Sequence, residues 1–295
     1  MILVHTPGTT ANSIPRAMAD SIFTQAGDGR FTPTEHARGP WDPRALHGGA
    51  PAALIARAFE RLEPGAELPI ARLGFEFLRP VPLAPLTLTT RIVRKGRRVQ
   101  ELTAELSADL GTGAEELVCR ASALRLQPVP GGLPSSGQAP PAAMPGPEHG
   151  QATEFALNRA AGTSLATSGM EMRWLNDPWG QGPGKVWMRL RHPLLPDEPP
   201  TPLVRAVATA DFGNGVSAEL PFEDYLFINA DLTIHLWRHP RSEWIGLDAQ
   251  TLLASGGIGT AESVLHDEDG AVGRAFQTLV VQPRGQDPEV LSRPA

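Results

Sequence analysis

The chain has almost no cysteine. Among 295 residues there is one, Cys119. That excludes an internal disulfide and any metal cluster built on several thiolates, and it fits a reducing compartment. It also has no apolar run of the roughly 18 residues that a membrane span needs. The first stretch, MILVHTPGTTANSIPRAMAD, lacks the basic start and apolar block of a secretory signal. A cytoplasmic location with no membrane span is therefore expected. An excess of positive charge is missing too. Lys and Arg number 26 against 32 Asp and Glu, a formal net charge of -6, so general nucleic-acid binding is not expected. Several catalytic signatures are absent: no G-x-S-x-G marks a serine-hydrolase elbow, and no H-E-x-x-H marks a zinc site. GQGPGK at 180–185 has neither the spacing of a phosphate loop nor the hydroxyl after its Lys.

Proline and glycine, by contrast, are abundant, with 30 of each. They concentrate in residues 128–150, PVPGGLPSSGQAPPAAMPGPEHG, which carry almost no large apolar side chains and read as a linker. This divides the chain into residues 1–127, the linker, residues 151–282 and a loose tail, 283–295. The halves resemble each other. Arg79-Pro80 matches Arg238-His239-Pro240, Gly96 matches Gly256 or Gly257, and Arg120-Ala121 matches Arg274-Ala275. Each half carries a chain of strands. VQELTAELSAD alternates cleanly, with Leu102, Ala104 and Leu106 against Glu101, Thr103 and Glu105. Turns are expected at Gly96, Gly111-Thr112-Gly113, Gly256-Gly257 and Asp269-Gly270, giving about four or five antiparallel strands per half.

One helix precedes the strands in each half. In GGAPAALIARAFERLEPG, an apolar stripe runs through Leu54, Ile55, Ala58, Phe59 and Leu62. In TPLVRAVATADFGNG, Thr201 is the expected N-cap, Pro202 the first helical residue and Gly213 the stop. Here Asp211 falls on one stripe with Val204, Val207 and Ala208, where the core should be. A carboxylate in that place needs a partner or a purpose.

Strand, helix, then several antiparallel strands, twice over, is an α+β tandem double hot-dog arrangement. Each half is then an antiparallel sheet wrapped on one long helix, and the two sheets meet edge to edge. In the order of its segments the chain resembles the type II acyl-CoA thioesterases. The first repeat contributes GPWDPRALHGGAPAALIARA and FLRPVP…RKGRR. The second contributes the Asp-bearing helix, INADLTIHLWRHP and GRAFQTLVV. The resemblance implies hydrolysis of acyl-CoA thioesters, with coenzyme A as part of the substrate, no metal or redox cofactor, and a monomer or homodimer of double hot-dogs. It implies three catalytic residues: Asp211, a Thr or Ser at a position held here by Asn229, and Gln277. Asparagine lacks the hydroxyl but still donates and accepts hydrogen bonds.

The residues themselves agree in part. Gln277 shares a strand face with Ala275, Leu279 and Val281, a polar group on an apolar face, while its counterpart in the first repeat is Ala123. Asn229 fits less easily. Alternation along FINADLTIHLW sets it on the face of Asp231, Thr233, His235 and Trp237, opposite Ile228, Ala230, Leu232, Ile234 and Leu236. It can reach Asp211 only if the strand bends or bulges near its start. His47, Gly48 and Gly49 head the first helix and could offer backbone N–H groups to a carbonyl oxygen, though His47 also reads as a turn or capping residue. Arg94 and Arg97, in the basic hairpin 91–99, could contact coenzyme A phosphates or form a solvated turn. Two other classes compete. One is a non-catalytic acyl or acyl-CoA binder on the same scaffold. The other is a hydratase or dehydratase, which would want a His/Asp pair at a helix start, and His47 has only Asp42 near it in its own segment.

Overall fold

The computed structural model describes residues 20–63, 68–134, 141–153, 162–178 and 181–285. Part of the Pro/Gly/Ser segment and most of the expected tail lie outside the described residues.

The first half contains β1 (Phe23–Gln25), β2 (Arg30–Pro33), α1 (Gly49–Arg61), β3 (Ile70–Phe77), β4 (Leu86–Lys95), β5 (Val99–Asp109) and β6 (Glu115–Leu126). The second contains β7 (Gln151–Ala152), β8 (Met170–Trp174), β9 (Gly184–Leu190), α2 (Pro202–Ala210), α3 (Gly213–Val216), β10 (Tyr225–Asn229), β11 (Asp231–Leu236), β12 (Ile245–Leu253), β13 (Ile258–Asp267) and β14 (Gly270–Pro283). The strand counts, six and eight, exceed the expectation because β1 and β2 precede α1 and β7, β8 and β9 precede α2; four and five strands follow the helices.

All strands join one antiparallel sheet in the order β1-β2-β4-β5-β6-β3-β11-β14-β13-β12-β9-β8-β7, with β10 paired to β14. The halves meet at β3 and β11, where Leu73 lies opposite Ile234. The expected sheets are thus continuous through their shared edge, which removes two exposed edges. Hairpins fall where the glycines indicated. Gly111, Gly113, Gly257 and Gly270 all have positive φ, which costs an L side chain strain.

Each half lays its helix on the sheet. In β5 the buried positions alternate through Gln100, Leu102, Ala104, Leu106 and Ala108. In α1 every residue from Gly49 to Arg57 is buried, because the helix packs on its own sheet and also on α2. The buried Arg125 closes its far end, donating to the carbonyls of Phe59 and Leu62. Those C-terminal carbonyls carry the helix's partial negative charge, which a cation suits. Met144, from the end of the Pro/Gly/Ser segment, sits against Gly246 in the second half, where the Trp187 indole donates to Pro145 O at 2.7 Å, and Pro147 is buried. Among the described residues no helix is long and apolar enough to cross a membrane.

Candidate active site

Asp211 owes its position to how α2 begins and ends. Thr201 caps the helix, its hydroxyl accepting from Val204 N at 3.2 Å, and Pro202 opens the first turn. The helix stops at Ala210 with Asp211 as its C-cap. Gly213 is therefore not the stop. It begins the short α3, and a Cβ on it would lie 2.8 Å from Gln277 Oε1. The Asp211 carboxylate, on a residue only 3% exposed, turns toward the head of α1.

There the two helices come unusually close. A Cβ on Gly49 would be 2.6 Å from Ala208 O, and one on Gly48 would be 2.8 Å from Asp211 Oδ2. Glycine at both places lets the end of α2 meet the start of α1. A carboxylate at a helix C-terminus is electrostatically unfavourable, and the partial positive N-terminus of α1 offsets this.

Asn229 reaches Asp211 through the bulge that the alternation demanded. Asn229 pairs with Leu279, whereas Thr233 pairs with Phe276, so four steps on one strand match three on the other. The extra residue lies at Ala230 and inverts the alternation: Phe227 is buried before it, and Leu232 and Ile234 after it. The Asp231 carboxylate accepts Thr278 N–H at 2.6 Å, satisfying an amide the bulge would otherwise orphan. Asn229 Nδ2 then donates to Asp211 Oδ1 at 2.9 Å and to Asp231 O at 3.1 Å. With both hydrogens used, only its carbonyl oxygen remains to meet a ligand.

Gln277 is buried on the expected face. Its Nε2 donates to Asp211 O at 3.0 Å and approaches Oδ1 at 3.4 Å, while its Oε1 accepts Asn214 N–H at 2.9 Å. Both ends of the amide are committed to the protein. Gln277 braces Asp211 and does not line the cavity.

His47 supplies a contact invisible in its own segment. Its Nδ1 lies 2.9 Å from Asp211 Oδ2, and its ring stacks on Phe212 with centroids 4.1 Å apart. The His/Asp pair sought near a helix start exists, with the acid contributed by the other repeat. Gly49 does not play the part foreseen for it, because its N–H points at His47 Nδ1, 3.2 Å away, instead of into the cavity.

His47, Gly48, Asp211 and Asn229 border one cavity of about 220 Å³. Its other walls are mostly apolar and include Leu46, Phe77, Val81, Phe212, Leu226 and Ile228. Trp41 and Phe222 line it as a stacked pair 5.4 Å apart, with Phe227 edge-on to Trp41 at 4.9 Å. Arg79 also lines it, paired with Glu116 at 3.2 Å. Arg94 and Arg97 do not. Phe77, at the cavity, aligns across β6 with Leu106, whereas Val99 beside the basic hairpin aligns with Leu126 at the opposite end. Seven strand residues, roughly 23 Å, separate those ends. The buried Cys119 thiol is pushed up to about 12, first by burial and then by the charges of Glu76 and Asp211. It stays protonated and is no nucleophile.

A buried carboxylate held by amide donors, paired with an imidazole and opening on an apolar cavity, is equipped to act on water beside an acyl group. The acyl-CoA thioesterase N-terminal domain matches residues 37–126 and the C-terminal domain of the same family matches residues 136–281. The chain belongs to the acyl-CoA thioesterase family. This family member is an enzyme of thioester hydrolysis. No curated protein matches it significantly. Among solved structures it is 18% identical to an acyl-CoA thioesterase II from Mycobacterium marinum, covering 92% of this chain and 98% of that one with a TM-score of 0.62. A candidate thioesterase II from Thermobifida fusca is 17% identical, covering 91% and 99% with a TM-score of 0.67. A hot-dog protein of unknown function from Alicyclobacillus acidocaldarius gives the same identity, coverage and score. These likenesses establish the fold, a double hot-dog.

Proposed function

We propose that this thioesterase cleaves acyl-CoA to free acid and coenzyme A, using a water held at Asp211 and Asn229. The supporting observation is the buried Asp211 carboxylate, which accepts from the amides of Asn229 and Gln277, lies 2.9 Å from His47 Nδ1 and borders the apolar cavity. Asn229 does here what a hydroxyl would do. It donates to the acid and offers an acceptor oxygen to a water O–H. Gln277 holds the backbone and side chain of Asp211 in place. A thioester carbonyl is already electrophilic, so the reaction needs a positioned water and a proton acceptor, not a metal or redox cofactor. The backbone at Gly48 is our candidate for polarising the carbonyl oxygen. Arg79 at the cavity replaces Arg94 and Arg97 as the candidate phosphate partner. The cytoplasm suits a chain with a single buried cysteine.

The test is thiol release from a panel of acyl-CoAs graded from short to long chains and including an aromatic acyl group. Turnover of at least one substrate is the expected result. Saturable binding of acyl-CoA without turnover would replace the hydrolase reading with that of a carrier on the same scaffold.

A further inference from the structure

The reaction proposed above leaves the acyl group unspecified, and the aromatic wall of the cavity narrows it. Aromatic residues make up only 6% of the chain, yet Trp41, Phe77, Phe212 and Phe222 all line this one cavity. Two of them form a built unit. Trp41 and Phe222 stack with centroids 5.4 Å and planes 23° apart. The buried Phe227, which does not line the cavity, stands edge-on to Trp41 at 4.9 Å and tilted against Phe222 at 4.6 Å. Trp41 comes from the loop ahead of α1 and Phe222 from the loop ahead of β10, so each repeat supplies one ring.

The unit is held from both repeats. Arg284, just past β14, places its guanidinium over the Trp41 ring at 5.5 Å and donates from Nε to Phe222 O at 2.6 Å. Its backbone N–H donates to Asp224 O at 2.8 Å. The Trp41 loop is closed at its base by Gly39 N–H to Ala45 O at 2.9 Å and by Leu46 N–H to Val81 O at 2.8 Å. Rings pinned in this way lose little freedom when a ligand arrives. The unit also stands at a set distance from the polar residues. Phe227 and Asn229 share one face of β10 two residues apart, roughly 7 Å. A phenyl ring joined to a thioester carbonyl directly or through one methylene extends roughly 4–6 Å from it, on bond lengths of about 1.5 Å. With the carbonyl at Asn229, such a ring arrives at Trp41 and Phe222.

We propose that this thioesterase selects acyl groups that carry a single aromatic ring close to the carbonyl, and that Trp41 and Phe222 are its specificity-determining residues. The inference rests on the hydrolysis proposed above. Aromatic pairs gain energy beyond the area they bury, through offset-stacked and edge-to-face arrangements that a saturated ring of the same size lacks. A benzene-sized group also fits a cavity of about 220 Å³.

The experiment compares thiol release from phenylacetyl-CoA and cyclohexylacetyl-CoA in wild type, Trp41→Leu and Phe222→Leu, with thermal melts of all three. The two thioesters differ in the ring alone and share the coenzyme A part. The expected result is a wild-type kcat/KM about fivefold or more higher for the phenyl substrate, a ratio that falls to within about twofold of unity in each variant. Variants in two separate loops guard against one failing to fold, and the wild-type ratio needs neither. A wild-type ratio within about twofold of unity overturns the proposal. So does a ratio that both variants leave unchanged. A KM raised equally for both substrates overturns it as well, by assigning the rings to the coenzyme A part. Turnover confined to other acyl groups overturns the selection and leaves the hydrolase reading standing. If wild type turns over no acyl-CoA, calorimetric Kd values for the same pair decide. A preference of about fivefold for the phenyl thioester then upholds the selection while the hydrolase reading falls, and equal values overturn both.

Discussion

Replacing Gly48 by alanine adds one methyl group at the point where the two halves of the protein meet. The backbone itself accepts the change, because Gly48 has φ -56 and ψ -27, ordinary helical values. On that account alone the substitution would stabilise by about 0.4–1 kcal/mol through the unfolded chain. The new Cβ, however, would lie 2.8 Å from Asp211 Oδ2, 3.1 Å from Oδ1 and 3.0 Å from Phe77 Cζ. Comfortable contact begins near 3.5 Å, so the carboxylate must retreat by roughly half an ångström. Overpacking of this size costs about 1–3 kcal/mol, leaving a net loss of about 0–2.6 kcal/mol. The catalytic effect should be larger than the stability effect. The 2.9 Å hydrogen bond that Oδ1 accepts from Asn229 Nδ2 would stretch toward the limit of a hydrogen bond. Since a misplacement of about 1 Å can cost 100-fold, a fall of about tenfold or more in kcat is expected. Steady-state thiol release with a thermal melt at the same pH is the assay. An alanine variant with kcat within about twofold of wild type would refute the argument that glycine here sets the carboxylate's position.

Four further outcomes are expected. Asn229→Thr restores a hydroxyl that can donate to Asp211 and accept from water, so activity should stay within about tenfold of wild type, whereas Asn229→Leu, which can do neither, should lose about 100-fold in kcat. The cavity of about 220 Å³ exceeds the roughly 150 Å³ that holds a benzene. An acyl panel should therefore peak at compact groups, one ring or a short-to-medium chain, and kcat/KM that rises steadily to the longest chain would contradict this. Arg94→Ala with Arg97→Ala should change KM for acyl-CoA by less than about twofold, because that hairpin sits at the far end of the sheet. Burial alone would raise the Asp267 carboxyl, but hydrogen bonds from Arg238 and from the N–H groups of Arg241 and Asp269 hold it below the usual carboxylate range. A depressed acid stabilises above its unfolded value and loses that contribution as pH falls through its folded one. Asp267→Asn should thus cost on the order of 2 kcal/mol at neutral pH, and melts should show the gap to wild type closing below about pH 4.

The sequence disclosed some of this and concealed the rest for physical reasons. The strand β5 was legible because one of its faces is buried, so burial and alternation coincide. The cap at Thr201 was legible because capping is local. Asp211 and Gln277 stood out as polar groups on apolar faces, a signal that survives without knowing the fold. The Ala230 bulge could be required by Asn229 but not located, since one extra residue leaves no compositional trace. The His47–Asp211 contact was hidden because it joins the head of one repeat's helix to the tail of the other's, a pairing that follows from the packing of α1 on α2. The place of the basic hairpin at the end of the sheet away from the cavity was not legible, because clustered charge says nothing about which end of a sheet it occupies.

Comparing kcat for wild type and Asp211→Asn tests the central claim most directly. The carboxamide is nearly isosteric, and its NH2 can donate to His47 Nδ1 while its oxygen accepts from Asn229. The variant should therefore melt within a few degrees of wild type, yet it lacks the carboxylate charge that holds the attacking water and takes its proton. A kcat lowered by about 10²- to 10⁴-fold in an equally stable protein is the predicted result. Activity within about threefold of wild type would mean that the buried acid serves the fold alone and that the chemistry lies elsewhere.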